Sequence, residues 1–338
     1  MNLITGATGL VGAHVALQLI QNNQTVVAIK RSGSDLSKTL QLFSYYSSDY
    51  QRLFNQIKWV DADVCDIYSL LDALDGITNV YHCAGFISFN SKDKKQLHQV
   101  NAEGTANIVN ACLEKKIQAL CHVSSIATLH NPDITKNIDE SVYWKSSPLA
   151  SDYAISKYNG EREVWRGIEE GLPAVIVNPG IIFGPGFWKQ STGKLIETCY
   201  KGSPFYTNGS CGTIDVRDLA TYMIELLNQK ILNQRFILTE GNHSYKEILS
   251  LTHNFLNKKL PSIEAGKALL TIAKGLDAFR CFFTKKEPII TKATIIGALE
   301  EMSFNNHKIK TALDIPFIPL EETLKFICHL YLSDKKNT

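Results

Sequence analysis

The chain has 338 residues and a mass of 37.7 kDa, enough for one large domain or two coupled ones, which excludes a small disulfide-stapled fold. Hydrophobic residues make up 44% and charged residues 20%, and the mean hydropathy of −0.08 belongs to a folded globular chain rather than a disordered one. With 35 Lys and Arg against 33 Asp and Glu the net charge is +2 and the pI about 8.0, without the concentrated basic excess of a nucleic-acid binder.

Short β-branched runs alternate with longer helical patterns through the first half, which predicts an α/β fold built on a doubly wound parallel sheet. Strands are predicted at residues 1–5, 25–29, 57–60, 79–82, 119–123 and 174–178, each nearly all apolar because both faces of such a sheet are covered. The connection 34–55, rich in Ser and Tyr, is expected to hold a helix with a loop. After Pro179 the glycine and proline clusters Gly184-Pro185-Gly186, Gly202-Ser203-Pro204 and Asn208-Gly209-Ser210 mark loops around short elements. A helix is expected from near Asp215, a strand at 235–238, a helix opened by the capping-box spacing of Ser244 and Glu247, and mostly helix over 261–332. The implied division is a dinucleotide-binding domain over 1–180 and a smaller, mostly helical substrate region over 181–338, with part of 213–240 packing back on the sheet.

Eight cysteines are scattered without a Cys-x-x-Cys pair, and the nine histidines form no ligand-spaced cluster, so no metal site is expected and the thiols read as buried and free. His82 and His122 are expected at strand ends. The first strand begins at Met1, leaving no room for a signal peptide, and no apolar run approaches the roughly 18 residues of a membrane span; the expectation is a cytoplasmic protein with no membrane partner and no nucleic acid. In the stretch 267–286, Leu269, Leu270, Ile272, Phe279, Phe282 and Phe283 sit beside basic residues. An amphipathic helix over the substrate pocket is expected there, membrane-surface contact being the other reading.

Thr5-Gly6-Ala7-Thr8-Gly9-Leu10-Val11-Gly12 follows an apolar strand and opens an amphipathic helix, the context in which three glycines read as a Rossmann dinucleotide loop. Gly6 permits the tight turn, Gly9 the approach of backbone to a pyrophosphate and Gly12 close packing of the helix, while the free N–H groups of the helix start attract the anion. Where a NAD site carries an acid at the second strand end, this chain has Lys30, Arg31 and Ser32. Arg31, with Lys38 from the next turn, suits the 2′-phosphate of NADP, so NADP(H) is the expected cofactor with NAD(H) as the alternative. The other reading of Lys30 and Arg31 is a pair of solvated strand-end cations.

Tyr153 and Lys157 lie four apart on a predicted helix and so project from one face. A phenol is a poor proton carrier at pH 7 unless a cation favours its phenolate, and Lys157 supplies that charge. Ser125, after the strand at 119–123, adds a hydroxyl at the C-terminal edge of the sheet, where open α/β folds bind ligands.

The order of Thr5 to Gly12, Asp63-Val64-Cys65-Asp66, Val80-Tyr-His-Cys-Ala-Gly85, Asn101-Ala-Glu-Gly-Thr105, Ser124-Ser125, Tyr153-Ala-Ile-Ser-Lys157, Asn178-Pro-Gly-Ile-Ile-Phe-Gly-Pro-Gly186 and Asp215-Val-Arg-Asp218 resembles an extended short-chain dehydrogenase/reductase of the NAD-dependent epimerase/dehydratase superfamily. Within it the chain most resembles the dihydroflavonol-reductase-like branch, over almost its whole length. The resemblance implies that Ser125, Tyr153 and Lys157 are catalytic, with Ser124 open as the alternative hydroxyl, and that Lys157 also binds the nicotinamide ribose. It implies adenine contacts from Asp63 and Val64, a cofactor path lined by Cys83, Ala84 and Gly85, and Pro179, Gly180 and Ile182 beside the nicotinamide. Asn101 reads either as an active-site neighbour or as an Asn holding local backbone, and Asp215 and Asp218 read first as helix-capping acids.

The implied reaction is hydride transfer between nicotinamide and a carbonyl or alcohol substrate, Tyr153 passing the proton and Ser125 orienting the oxygen. Phe86, Phe89, Trp144, Phe187, Trp188, Phe205 and Tyr206 flank the motifs and would favour an aromatic, terpenoid or steroid-like substrate if they form one pocket. Two other readings stay open: a nucleotide-sugar epimerase or dehydratase that retains NAD, for which Lys189, Lys194, Lys201 and Arg217 could meet a pyrophosphate, and a noncatalytic NADP-binding redox sensor. Relatives pair through helices corresponding to 96–116 and 153–170, but monomers also occur, so a homodimer is an open expectation.

Overall fold

The computed structural model of the chain describes residues 1–284, 288 and 290–336, without the side chains of 278, 279 and 282–284. The expected contributions of Phe279, Phe282, Phe283, Lys285 and Lys286 to an amphipathic helix lie outside the described residues. The strands are β1 (Asn2–Thr5), β2 (Val26–Lys30), β3 (Ile57–Asp61), β4 (Asn79–His82), β5 (Ala119–Val123), β6 (Ala174–Pro179), β7 (Ile181–Phe183), β8 (Phe205–Tyr206), β9 (Ser210–Asp215), β10 (Gln234–Leu238), β11 (Gly241–Ser244) and β12 (Ile263–Glu264). The helices are α1 (Leu10–Gln21), α2 (Ser37–Ser44), α3 (Tyr50–Phe54), α4 (Ile67–Ala73), α5 (Lys94–His98), α6 (Gly104–Glu114), α7 (Asp152–Glu169), α8 (Ser191–Tyr200), α9 (Val216–Asn228), α10 (Tyr245–Phe255), α11 (Lys267–Thr284), α12 (Lys292–Leu299), α13 (His307–Ala312) and α14 (Leu320–Lys336).

Among the described residues the large sheet has seven parallel strands in the order β10-β6-β5-β4-β1-β2-β3, so the chain reverses direction of winding between β1 and β4. Its strands are mostly apolar because alternate residues feed two cores. Ile4, Val26, Ala28, Val175 and Val177 join the cluster with α1 and α9, while Leu3, Val27, Ile29, Ala174 and Ile176 join the one with α4, α6 and α7. Each such buried Val, Ile or Leu contributes roughly 1.5–3 kcal/mol of apolar burial, which fixes the register.

A second sheet, β11-β9-β7, and a two-stranded one, β12-β8, carry the later chain. A separate core lies there between α8, α10 and α14, with Ile196, Ile248, Leu324, Ile327 and Tyr331 buried. Asp215 caps α9, its carboxylate accepting from the Arg217 N–H at 2.8 Å. Between α5 and α6 the helix widens into a π segment at Gln99–Glu103, a distortion that often marks a functional site. No described helix is long and apolar enough to cross a membrane.

Candidate active site

The glycine loop leaves β1 and returns into α1 beneath the ends of β1 and β4. Gly6 has φ +70°, and a Cβ there would lie 2.7 Å from the Ala84 nitrogen; one at Gly12 would lie 2.5 Å from the Gly6 carbonyl. Gly12 thus lets α1 close on the loop itself. The Gly9 N–H closes the turn on the Gly6 carbonyl at 2.9 Å. Gly9 caps α1 without a side-chain bond and no acid sits in the first turn, so the N–H groups at the helix start remain directed outward. A glycine loop too tightly packed for side chains at Gly6 and Gly12, at an uncapped helix start, fits a dinucleotide pyrophosphate. Thr8, Leu10 and Val11 are half-buried around this mouth.

The flanking candidates lie at the C-terminal ends of neighbouring strands. Lys30, the last residue of β2, is ion-paired with Asp61, the last of β3. Arg31 and Lys38 are exposed, and their side chains make no hydrogen bond or ion pair among the described residues. The strand-end cations therefore split: Lys30 serves β3 and Arg31 stays available. Asp63 holds its own turn, its carboxylate accepting from the Cys65 N–H at 2.9 Å, and the Val64 carbonyl accepts from Asn107 at 3.0 Å. Cys83, Ala84 and Gly85 run past Gly6, the Ala84 N–H donating to the Thr5 hydroxyl at 3.0 Å. Pro179 ends β6, the Gly180 N–H donates to the Leu238 carbonyl at 3.1 Å, and Ile182 lies in β7.

Ser151 opens α7, its hydroxyl accepting from the Ala154 N–H at 3.1 Å. Tyr153 and Lys157 then fall one turn apart on the face toward β5. The Lys157 ammonium donates to the Val123 carbonyl at 2.7 Å and is only 5% exposed; burial lowers its pKa to about 8, against an opposing pull from Glu161. Burial pushes the Tyr153 phenol up, and the opposing influence is the nearby Ser125 hydroxyl. Ser125 thus opposes the effect of burial on the phenol, and Lys157 is anchored to the strand end. Ser124 turns elsewhere: its hydroxyl donates to Glu161 at 2.6 Å.

Asn101, buried in the π segment, takes the backbone role. It accepts from the Phe86 N–H at 2.8 Å and donates to the Phe86 carbonyl at 2.9 Å and to the Ser156 hydroxyl at 2.9 Å, tying the loop after β4 to α7. His82 ends β4 and His122 lies one residue before the end of β5, their rings 5.1 Å apart; burial holds His82 down to about 3 and His122 far below its usual value, so both are neutral.

Sequence reasoning passed over Glu161, the centre of a buried network. Its carboxylate accepts from Ser124, from Thr128 at 2.7 Å, from Asn178 at 2.8 Å and from Arg235 at 3.0 Å. Asn178 also donates to the Ser125 carbonyl at 3.1 Å, so the network fixes the backbone that presents Ser125. The signal was present: Glu161 continues the four-residue stripe of Tyr153 and Lys157.

The aromatic residues flanking the motifs do not form one pocket. Phe89 sets its ring edge-on to Tyr153 at 5.8 Å, but Trp144 stacks on Tyr158 at 4.5 Å, Phe187 is in the sheet core, and Trp188 donates to Asp334 at 2.7 Å against α14. Phe205 is 45% exposed, and Tyr206 lies under Lys246. They separate because they lie on distant segments that pack against different neighbours. Arg217, weighed for a pyrophosphate, is committed to Asp215 at 2.6 Å. No described cluster of His, Cys, Asp and Glu is placed to hold a metal ion.

The sequence profile described as the NAD dependent epimerase/dehydratase family matches residues 2–236, and the chain belongs to that family, whose enzymes are of the extended short-chain dehydrogenase/reductase type. A protein of Synechocystis named as a putative dihydroflavonol 4-reductase is 30% identical over 254 residues, 73% of this chain and 70% of that one. The protein of Methylococcus capsulatus named sterol demethylase protein B is 26% identical over 293 residues, covering 85% and 84%. Among solved structures, that of gox2253 superposes with a TM-score of 0.81 at 25% identity, over 99% of this chain and 98% of the other.

Proposed function

We propose that the protein is an NADP-dependent carbonyl reductase or alcohol dehydrogenase, with Ser125, Tyr153 and Lys157 as its catalytic residues. The observation that carries this reading is the Ser125 hydroxyl facing the Tyr153 phenol, beside the anchored Lys157 ammonium and at the same sheet edge as the glycine loop. A bound nicotinamide supplies the hydride chemistry. Gly6, Thr8, Gly9, Leu10, Val11 and Gly12 hold its pyrophosphate, Arg31 and Lys38 the 2′-phosphate, and Asp63 and Val64 the adenine. Cys83, Ala84, Gly85, Pro179, Gly180 and Ile182 line the way to the nicotinamide, with Tyr153 and Lys157 at its ribose. Ser125 fixes the substrate oxygen, Tyr153 carries the proton to or from it, and Lys157 keeps a positive charge beside that transfer.

The competing reading, an epimerase or dehydratase with retained NAD, gains from the Lys30–Asp61 pair, which leaves Arg31 and Lys38 alone to meet a 2′-phosphate. The test is to denature the purified protein, identify any released nucleotide and titrate the emptied chain with NADP(H) and NAD(H). Exchangeable NADPH preference, with Tyr153→Phe retaining cofactor and losing carbonyl turnover, is expected. Tightly held NAD+ would overturn the reductase reading.

A further inference from the structure

A cavity of about 410 Å³ opens beside the proposed proton carrier, between the loop after β4, the segment leading into α7, and the pair α11 and α12. That volume lies within the range of small-molecule sites. Phe89 forms one wall and rests its ring against Tyr153, so the cavity and the phenol share a boundary. Leu149, Ile290 and Ile296 supply further apolar lining.

The charges around this cavity do not cancel. Asp152 is met by Lys94 at 3.4 Å, and Asp277, on the same helix as Lys274, is engaged by Arg280 at 2.8 Å and by the Ile290 N–H at 2.9 Å. Lys274 and Lys292 line the cavity from α11 and α12, and neither ammonium has a hydrogen bond or ion pair among the described residues. Two helices thus bring cations that are unpaired among the described residues to a mainly apolar space that Ser88, Asn90, Ser91, Ser151, Asp152 and Thr291 also line, a pattern that favours a ligand with an apolar body and an anionic end.

We infer that this cavity receives the substrate, and that the substrate is an apolar carbonyl or alcohol compound bearing a carboxylate, phosphate or sulfate that meets Lys274 and Lys292. The inference rests on the reading of Tyr153 as proton carrier, which places the reacting carbon at the Phe89 wall and the anion at Lys274 and Lys292.

A matched pair of fluorescent probes tests it without turnover: N-phenyl-1-naphthylamine and its 8-sulfonate, titrated into the full chain. The sulfonate is expected to bind about tenfold more tightly, and the Lys274→Gln/Lys292→Gln double variant to remove that difference while leaving the neutral probe's affinity unchanged. Equal affinities in the unaltered protein, or a difference that survives the double substitution, would overturn the inference. Ketones matched with and without a terminal carboxylate separate the two levels of the argument. Tyr153-dependent turnover that ignores the carboxylate sinks the anion assignment and keeps the reductase. Charge-selective probe binding with no Tyr153-dependent turnover of any carbonyl keeps the anion-selecting cavity and sinks the reductase.

Discussion

Ser124 and Ser125 are neighbours in the chain and turn their hydroxyls to points two turns apart on α7: Ser124 donates to the Glu161 carboxylate at 2.6 Å, and Ser125 faces the Tyr153 phenol. The two substitutions therefore have different consequences. Ser125→Ala is expected to lower kcat by about 10²-fold or more and, because its hydroxyl also accepts from the Ala127 N–H at 3.2 Å, to cost about 0.5–1 kcal/mol of stability. Ser124→Ala leaves Glu161 short of a donor and costs about 1–3 kcal/mol of stability with kcat largely kept. The reverse pattern would transfer the catalytic hydroxyl to Ser124.

Glu161→Gln removes the charge facing Arg235. Loss of one partner of a buried pair costs about 3–5 kcal/mol, and the lower end is expected because Arg235 keeps bonds to the Glu140 and Val142 carbonyls at 2.7 Å. Glu161 also raises the pKa of Lys157, so its loss should move the alkaline limb of the kcat profile to lower pH. A purely structural role would reduce stability and leave that limb in place.

Lys157 links stability to pH in the opposite sense from an ordinary surface ion pair. Its folded pKa of about 8 lies below the 10.5 of an unburied lysine, so between those values the unfolded chain holds the proton that the folded chain has lost. Burying the ammonium costs about 3 kcal/mol at every pH below 8, and the cost disappears as pH rises to 10.5. Lys157→Met should abolish turnover yet leave the urea midpoint at pH 7 equal to or above that of the unaltered protein, with the advantage shrinking at pH 10. A large drop at pH 7 would contradict this account.

Arg31→Ala tests cofactor choice. Because Lys30 is held by Asp61 while Arg31 is not paired, the KM for NADPH should rise about tenfold with that for NADH nearly unchanged. Lys30→Ala should affect both little. Equal effects of Arg31→Ala on the two cofactors would remove the 2′-phosphate assignment.

Gly12→Val places carbon within 2.5 Å of the Gly6 carbonyl, and neither backbone segment can retreat without opening the loop. A loss of about 1–3 kcal/mol by urea unfolding is expected, together with loss of cofactor binding by fluorescence titration.

The sequence alone determined the alternation that builds the parallel sheet, the glycine loop after β1, and the one-turn spacing of Tyr153 and Lys157, because each is a short-range pattern: strand apolarity, turn chemistry and helical period act within a few residues. The motif order from Gly6 to Asp218 was also enough to assign the family. Long-range packing decided the rest. Strand pairing tied Lys30 to Asp61; the meeting of β5, β6, β10 and α7 at Glu161 separated Ser124 from Ser125. The candidate aromatics followed the packing of their own segments instead of joining one pocket. Lys274 and Lys292 face the space beside Phe89 only because α11 and α12 pack beside the loop after β4 and the segment leading into α7, more than a hundred residues beyond the segment that carries Tyr153. Local patterns specify elements, whereas the partner of a strand-end charge or a helix face is set by closure of the whole chain, which no local window contains.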